Sequence, residues 1–521
     1  MEVRQGCLPL NRGEGLEGRS ISTSFGFGCS YMRLTATDFI SYYRPTTCEL
    51  RVFLRHRGDP EAEPSAFDLV LQRLGRRHEQ NHLAGLGPSL DLQDMPETER
   101  ADRTIAAIRD KVPLIYQGLF RATTRLNGVE VEIIGIPDFI IHDHGDYLVR
   151  DAKMARRIDD ENHPEIGLQL GLYGWLYEQV IKRPPKGLQV FSGAETLVDI
   201  PYDGGRAALE ALAHILRLKQ LVAQPYEPVG WSKCNGCGYF KQCWDAAEAA
   251  NDVSLVPDVD QTLARAFHNQ GVASRSDLLT AYDAGSLAEL KRPVGSRMSK
   301  VGKKAERILL VADLMQRDQE KVFCVPAVPT SPNCVMFDLE GMPPHLAEAD
   351  KIYLWGMQVF GQKPSEFLPA TADFGPDGDK AGWFAFLQGA KKILDEYGNV
   401  PFIHWAPYER TYVAKYLTRY GDFAGTATSV QSNLVDLLTI AKDAIALPLP
   451  SFSLKLIEKY VGYKRVQQEY GGDWAMAMFI EATETNDQTK RKELMDQILT
   501  YNREDLEAMW AVFQWLKAKR P

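Results

Sequence analysis

The sequence predicts an α/β protein of several domains, and three observations carry that prediction. Residues 135–153, GIPDFIIHDHGDYLVRDAK, read as two short β-strands joined by a turn. A second apolar β-run, CVMFDLEG, starts after Asn333 and is followed by alternating strand- and helix-patterned segments. The chain has 521 residues, enough for two to four domains at roughly 150 residues each. With 45% hydrophobic and 25% charged residues, its composition is that of a globular protein. No stretch approaches the ~20 consecutive apolar residues of a membrane span, and no signal peptide is visible, so a cytoplasmic protein without membrane contact is expected. The net charge of −9 argues against nucleic-acid binding over the whole surface, yet leaves room for a local basic groove. Eight cysteines without export point to a reducing compartment, where clustered thiols more often hold metal than pair as disulfides.

Taken in order, residues 1–31 are rich in Gly, Ser and Arg without periodicity and are expected to be a disordered leader, with Met32 an alternative start. A short helix follows, capped by Thr37 or Asp38, and then Cys48. Residues 66–111 look helical and include the pair His78-Glu79. Residues 114–149 read as strands, with Asn127-Gly128 as a hairpin turn. The 135–153 hairpin is expected to carry Gly135 and Asp138 on its first strand and Asp151 and Lys153 at the end of its second. Alternation along a strand sends Asp151 and Lys153 to the same face. Two carboxylates converging with one lysine can hold a hard divalent cation beside an ammonium group, the minimum for metal-assisted phosphodiester hydrolysis.

A helix over 165–180 carries Gln169 and Tyr173 four residues apart, on one face, before Pro184-Pro185 breaks it. Cys234, Cys237 and Cys243 then supply three thiolates in one short loop, and Cys48 offers a fourth from far upstream. Four cysteines can hold an iron–sulfur cluster or a structural Zn²⁺. Cys7, Cys29, Cys324 and Cys334 lack such spacing.

Residues 32–245 resemble the RecB-like nucleases of the PD-(D/E)xK superfamily, in the iron–sulfur branch with CRISPR-associated and AddB-type members. The family order is Cys, His, Gly-x-x-Asp, Asp/Glu-x-Lys, Gln-x-x-x-Tyr and three clustered Cys. It is met here by Cys48, His78, Gly135 and Asp138, Asp151 and Lys153, Gln169 and Tyr173, and Cys234, Cys237 and Cys243. The resemblance implies a restriction-endonuclease-like core in which Asp138 and Asp151 bind Mg²⁺ or Mn²⁺, with His78 as a further ligand. It also implies that Lys153 orients or deprotonates the attacking water, that Gln169 and Tyr173 position the strand, and that the four cysteines hold a [4Fe-4S] cluster.

Residues 249–322 alternate helical patterns with Gly-containing turns, and 290–307 is basic, with Lys291, Arg292, Arg297, Lys300, Lys303, Lys304 and Arg307. This reads either as a helix-hairpin-helix-like module gripping phosphates or as a solvated basic linker helix.

From Asn333 the chain offers Asp338 and Glu340 on one strand face, a strand over 353–360, and a closing helix with a core stripe of Leu506, Met509, Trp510, Phe513 and Leu516. Asp505 is placed at the start of that helix, four residues after Tyr501. This half, 323–521, resembles the ribonuclease H-like DEDD exonucleases found fused to RecB-like nucleases. The motif Asp-x-Glu is Asp338 and Glu340, and Tyr-x-x-x-Asp is Tyr501 and Asp505. The middle motif departs from the family pattern: His404-Trp405-Ala406-Pro407-Tyr408-Glu409 replaces Asn-Gly-x-x-Phe-Asp. Glu409 or Asp436 is left to complete the metal set. The resemblance implies two metal ions, a tyrosine-oriented water and 3′-end exonuclease action. The expected function is a metal-dependent nuclease acting on DNA ends or single strands in preference to RNA, in DNA repair or beside a helicase or CRISPR partner. The rival is a non-catalytic nucleic-acid-binding adaptor with one degenerate domain; a zinc-binding structural protein is the third reading.

Overall fold

A computed structural model of the chain describes residues 32–295, 297–342, 351–373, 375–467 and 471–521. The expected leader, with Cys7 and Cys29, lies outside the described residues.

The N-terminal half is built on two sheets. A six-stranded mixed sheet runs in the order Leu90–Asp91, Leu114–Tyr116, Phe139–Asp143, Asp146–Ala152, Gly187–Phe191, Leu197–Ile200. A three-stranded sheet holds Met32–Thr35, Val129–Gly135 and Phe120–Leu126. The helix Pro164–Ile181 makes the crossover between the parallel strands Asp146–Ala152 and Gly187–Phe191, and packs against strands of both sheets. Such a buried position demands apolar residues on every side, and the helix supplies them with Ile166, Leu170, Leu172, Leu176 and Tyr177 all buried.

Both expected hairpins form. Asn127 and Gly128 take φ of 50° and 81°, and His144 and Gly145 take 50° and 96°. Two positive-φ residues between antiparallel strands match the right-handed twist of the flanking ladder. The first strand of the 135–153 segment, however, is not continuous. Gly135 ends Val129–Gly135 in the small sheet, and the chain changes sheets at Ile136-Pro137-Asp138 before Phe139–Asp143 enters the large one. Pro137 has no N–H to give to a ladder, so the break falls there. The helix expected over 66–111 is also divided, into Ala66–Leu86 and Glu97–Arg109, because Gly87 (φ 96°) and Pro88 stop the first.

The middle segment forms a small core of its own, with Leu263, Phe267, Leu278, Leu287, Ile308 and Ala312 buried. Its basic stretch is not one continuous helix. Lys291–Val294 and Arg297–Lys300 pair as an antiparallel β-hairpin, followed by the helix Ala305–Arg317.

The C-terminal half is a five-stranded sheet ordered Leu368–Thr371, Lys351–Gly361, Asn333–Met342, Phe402–His404, Leu434–Asp436. The first three strands are antiparallel, and the last two join Asn333–Met342 in parallel. One face packs the helix Gly375–Tyr397 through Trp383, Phe386 and Leu387; the other packs the helix Gln488–Ala518 through the predicted stripe. That closing helix spans 31 residues, so Asp505 lies past its middle and not at its start. The two halves share a core: Val70 and Leu74 of Ala66–Leu86 are buried with Tyr353, Leu354, Phe479 and Ile480.

Candidate active sites

The first site forms where the change of sheets brings Asp138 beside the end of Asp146–Ala152. The Asp138 carboxylate accepts from Ala152 N at 2.8 Å, while Asp138 N donates to Asp151 Oδ1 at 3.0 Å. Lys153 Nζ lies 2.9 Å from Asp151 Oδ2, the shared strand face read from the sequence. Burial and the neighbouring Asp151 push the Asp138 carboxyl well above the usual range. Burial alone would lower the Lys153 ammonium, but Asp151 and Asp138 raise it, so it stays charged.

Gln169 and Tyr173 are both buried beside the carboxylates. Gln169 Nε2 donates to Asp151 Oδ2 at 2.7 Å and to Tyr173 OH at 2.8 Å, fixing the carboxylate's orientation. Gly135 explains itself here. A Cβ at that position would lie 2.6 Å from Leu176 Cδ1 and 2.7 Å from Tyr173 Cδ1, so only glycine lets the helix close onto the strand.

His78 does not join the carboxylates. Its ring stacks on Phe191 with centroids 4.8 Å apart, and its Nε2 lies 3.3 Å from Phe191 O. His82, one turn on, stacks on the same ring at 3.8 Å. The next position on the helix, about 100° round the axis, is Glu79. Glu79 Oε1 accepts from Tyr116 OH and Gln117 Nε2, both at 2.8 Å, and the same Gln117 nitrogen donates to Asp138 Oδ1 at 3.0 Å. Glu79 is therefore the acidic group tied to the carboxylate pair. Its adjacency to His78 was the only signal in the sequence, and helical phase decides between the two.

The second site is the one group of three metal-capable side chains found close together among the described residues. Asp338, Glu340 and Asp505 offer oxygens within 4.8 Å of one another. Burial pushes all three carboxyls above their ordinary values; neighbouring carboxylates raise Asp338 and Glu340 further, whereas Arg465 and Lys455 pull Asp505 back down. Glu409 is also buried, its carboxyl pushed up to about 8 chiefly by burial, and its Oε2 has no hydrogen-bond partner although His404 Nδ1 lies 3.3 Å away. Asp436 is used differently. It caps the helix Leu437–Ala444, accepting from Leu438 N, Thr439 N, Thr439 Oγ1 and Ala406 N. Of the two candidates for the set, only Glu409 keeps a carboxylate oxygen without a hydrogen-bond partner.

Side chains that the motif reading did not single out complete this site. Asn502 Nδ2 donates to Asp338 Oδ2 at 2.7 Å. It reaches that oxygen because Gly356 faces Asp338 across the ladder, and a Cβ on Gly356 would fall 1.8 Å from Asn502 Oδ1. Buried Arg465 bridges Glu458, at 2.6 Å, and Asp505. The cations of Lys455 and Arg465 lie 5.1 Å and 5.8 Å from the centre of the Tyr501 ring. An electropositive pair thus flanks the carboxylates.

The four cysteines come from opposite ends of the N-terminal half into one neighbourhood. Cys48, Cys237 and Cys243 pack with Leu50, Phe53, Leu54 and Tyr239, and Cys234 and Cys243 pack with Val229, Ala247 and Leu255. All four are free thiols. Burial pushes Cys48 up to about 12 and Cys243 up to about 11, and each is raised further by a neighbouring cysteine of the group. Cys324 is exposed and Cys334 is buried in the strand Asn333–Met342, away from this group as their spacing suggested. Among the described residues no helix is long and apolar enough to cross a membrane.

Two family models match the chain. Residues 46–244 match the PD-(D/E)XK nuclease superfamily, a span that begins just before Cys48 and ends just after Cys243. Residues 335–517 match the RNase H superfamily. No curated protein matches. Among solved structures, the crystal structure of SSO0001 is 16% identical over 33% of this chain and 94% of that one, with a TM-score of 0.18. A crystal structure of an exonuclease candidate from Eubacterium rectale is 15% identical over 36% of this chain and 81% of that one, with a TM-score of 0.22. The chain carries a nuclease-superfamily domain and an RNase H-like domain, and nuclease domains imply nucleic-acid binding.

Proposed function

We propose that this pairing makes the chain a metal-dependent nuclease with two hydrolytic centres, acting on DNA ends or single strands. The observation that carries the reading is the presence of two separate buried acidic groups, one with a lysine and one with a tyrosine. Buried like charges are costly unless a cation or proton compensates them; the second set, with oxygens within 4.8 Å of one another, fits a hard divalent ion such as Mg²⁺ or Mn²⁺, and the first offers a carboxylate pair for one. Bound there, the ion would activate water and neutralise charge on the phosphorane.

In the first centre Asp138 and Asp151 would hold the ion, with Glu79 tied to Asp138 through Gln117. Lys153 keeps its proton and sits where it can orient the water and stabilise transition-state charge. Gln169 and Tyr173 hold Asp151 in place. In the second centre Asp338, Glu340, Asp505 and Glu409 would hold metal, and Tyr501 would orient water for attack at a 3′ end, leaving a 5′-phosphate. The four cysteines, drawn into one neighbourhood, would supply the thiolates of a [4Fe-4S] cluster, or of Zn²⁺, as a staple between the ends of the first domain. A cytoplasmic location agrees with the free thiols.

Labelled single- and double-stranded DNA and RNA, incubated with Mg²⁺ or Mn²⁺, test the reading with wild type, Lys153→Ala and Asp338→Ala. Each variant is expected to lose the activity of its own centre. If wild type cuts nothing, or both variants equal it, the nuclease reading fails. One observation favours a second reading for the C-terminal domain: Arg465 already occupies Asp505. On that reading the domain binds nucleic acid without cutting, and Asp338→Ala leaves all cleavage intact.

A further inference from the structure

The second acidic site opens into a cavity of about 240 Å³ whose lining comes from both halves of the chain. Asp338, Glu340, Tyr501, Asp505 and Lys455 belong to the C-terminal half, as does Trp405. Trp231 does not. It stands three residues before Cys234, in the loop that closes the N-terminal nuclease domain.

Trp231 is held from behind by aromatic neighbours of the cysteine loop. Its ring meets Trp244 edge-on at 5.3 Å and Phe240 at 5.9 Å, and those two meet each other at 5.4 Å. Phe240 and Trp244 pack in the cluster that contains Cys234 and Cys243. Trp231 itself is only half-buried, and its free surface shares a cavity with carboxylates and an ammonium group. A large indole presented to a charged cavity is poorly placed as core, but well placed for a flat, partly apolar ligand that arrives bearing a phosphate.

We infer that Trp231 is a base-stacking platform for the C-terminal centre, so that the site for a strand terminus is complete only when the cysteine loop is docked against it. This rests on the proposed nuclease reading of that centre and adds its substrate contact. The phosphate to be cut lies at the carboxylates, and the base beside it meets the indole face. One base can face the indole only when it is unpaired and splayed from its neighbours, which a single-stranded terminus allows and a duplex does not. Stacking accepts every base because each has a π-face, so the site selects single strands without selecting sequence. Lys455 supplies a cation on the same wall system for the backbone.

The test uses the full chain carrying Lys153→Met, which lowers cleavage by the first centre roughly 100- to 1,000-fold. Trp231→Leu keeps an apolar side chain without the π-face, and Trp231→Tyr restores an aromatic one. The substrate is a single-stranded oligonucleotide whose 3′-terminal nucleotide is ordinary, abasic, or 2-aminopurine. Loss of one stacked base corresponds to about a 5- to 150-fold change in affinity. Trp231→Leu is therefore expected to raise KM within that range with kcat within about threefold, and Trp231→Tyr to recover most of it. The abasic substrate should be penalised in wild-type Trp231 and not further penalised in Trp231→Leu. Quenching of 2-aminopurine on binding without divalent metal should be present with Trp231 and lost with leucine. The inference is overturned if Trp231→Leu lowers kcat at unchanged KM, if the abasic penalty is equal in both proteins, or if 2-aminopurine is quenched equally. Absence of cleavage with quenching that depends on Trp231 would instead sink the catalytic reading of the centre and leave the platform standing.

Discussion

Replacing Lys153 by methionine tests the first centre without emptying it, because the stem is retained and only the ammonium is lost. In the folded chain Nζ lies 2.9 Å from Asp151 Oδ2, with Asp151 only 1% exposed and Lys153 26% exposed. At an effective dielectric constant near 20, that separation corresponds to a gross attraction of about 6 kcal/mol. Desolvation of both ions opposes it, and removing one partner of a buried pair costs roughly 3–5 kcal/mol net. Asp151 still accepts from Asp138 N and Gln169 Nε2, and the lysine is partly solvated, so the low end, about 3 kcal/mol, applies. For a domain of this size about 2–4 °C of Tm accompanies each kcal/mol, giving a fall of about 6–12 °C in the transition of the N-terminal half. Scanning calorimetry in chelator would measure it, since more than one transition is expected of a chain with several cores. Millimolar Mg²⁺ should narrow the difference, because a dication on Asp138 and Asp151 compensates the same charge. Cleavage by this centre should fall roughly 100- to 1,000-fold, the usual effect of removing one transition-state stabilising group. A variant that melts with wild type in chelator would refute the buried pair. A difference untouched by Mg²⁺ would refute the carboxylates as a metal site.

Gly356→Ala should cost the second centre most of its activity while leaving the first intact. The added Cβ would displace the Asn502 amide, and cleavage by each centre can be followed separately in Lys153→Met and Asp338→Ala backgrounds. Glu409 sets a pH dependence. Its carboxyl is raised from 4.5 to about 8, so between those values the unfolded chain ionises it and the folded chain does not. Without metal, stability should therefore fall as pH rises from 4.5 to about 8 and level off above; Glu409→Gln should flatten part of that slope in melting curves. Saturating Mn²⁺ should also flatten it, since the ion favours the ionised form. Cys48→Ser should lower the bound iron or zinc per chain and destabilise the N-terminal half, because Cys48 is the one cysteine of the group that comes from the front of that half. Elemental analysis of protein purified without oxygen decides this, and a metal content equal to wild type would remove Cys48 from the ligand set.

What was legible in the sequence was local. Asp151 and Lys153 share a face because strands alternate, and Asn127-Gly128 turns because both residues accept positive φ. Asp338 and Glu340 follow the first rule, and the closing stripe of Leu506, Met509, Phe513 and Leu516 is buried as its spacing required. What was not legible depends on phase or on distant partners. Periodicity could say that 66–86 is helical, but not which of His78 and Glu79 faces Asp138, because that depends on where Phe191 lies. Asp436 has the side chain of a ligand, yet in the structure it opens a helix, where free N–H groups compete for it. The last helix starts at Gln488, seventeen residues before Asp505, and its first turns, TKRKELMDQ, are polar and carry little hydrophobic pattern to mark that start.

The helix Ala66–Leu86 links these observations mechanically. One side of it presents Glu79 to the first carboxylate pair, and its earlier turns, through Val70 and Leu74, are buried against Tyr353 and Leu354. Those residues lie on the strand Lys351–Gly361, which pairs with the strand bearing Asp338 and Glu340. Arg73 and Arg77 of the same helix both pair with Glu484 at 2.9 Å, on the helix Gly472–Glu484 that covers this contact. The exposed ion pairs contribute little, about 0–1 kcal/mol each, whereas burying two aliphatic side chains contributes about 3–6 kcal/mol, so the apolar contact decides whether the halves stay docked. Leu74→Asp should therefore undock them. The second centre should then lose the wall that Trp231 supplies, while the first keeps Asp138, Asp151 and Lys153 and loses activity only as far as Glu79 shifts. Small-angle scattering would show a more extended chain, and KM at the second centre would rise as in Trp231→Leu. An extended variant with unchanged KM at the second centre would show that the two halves act independently.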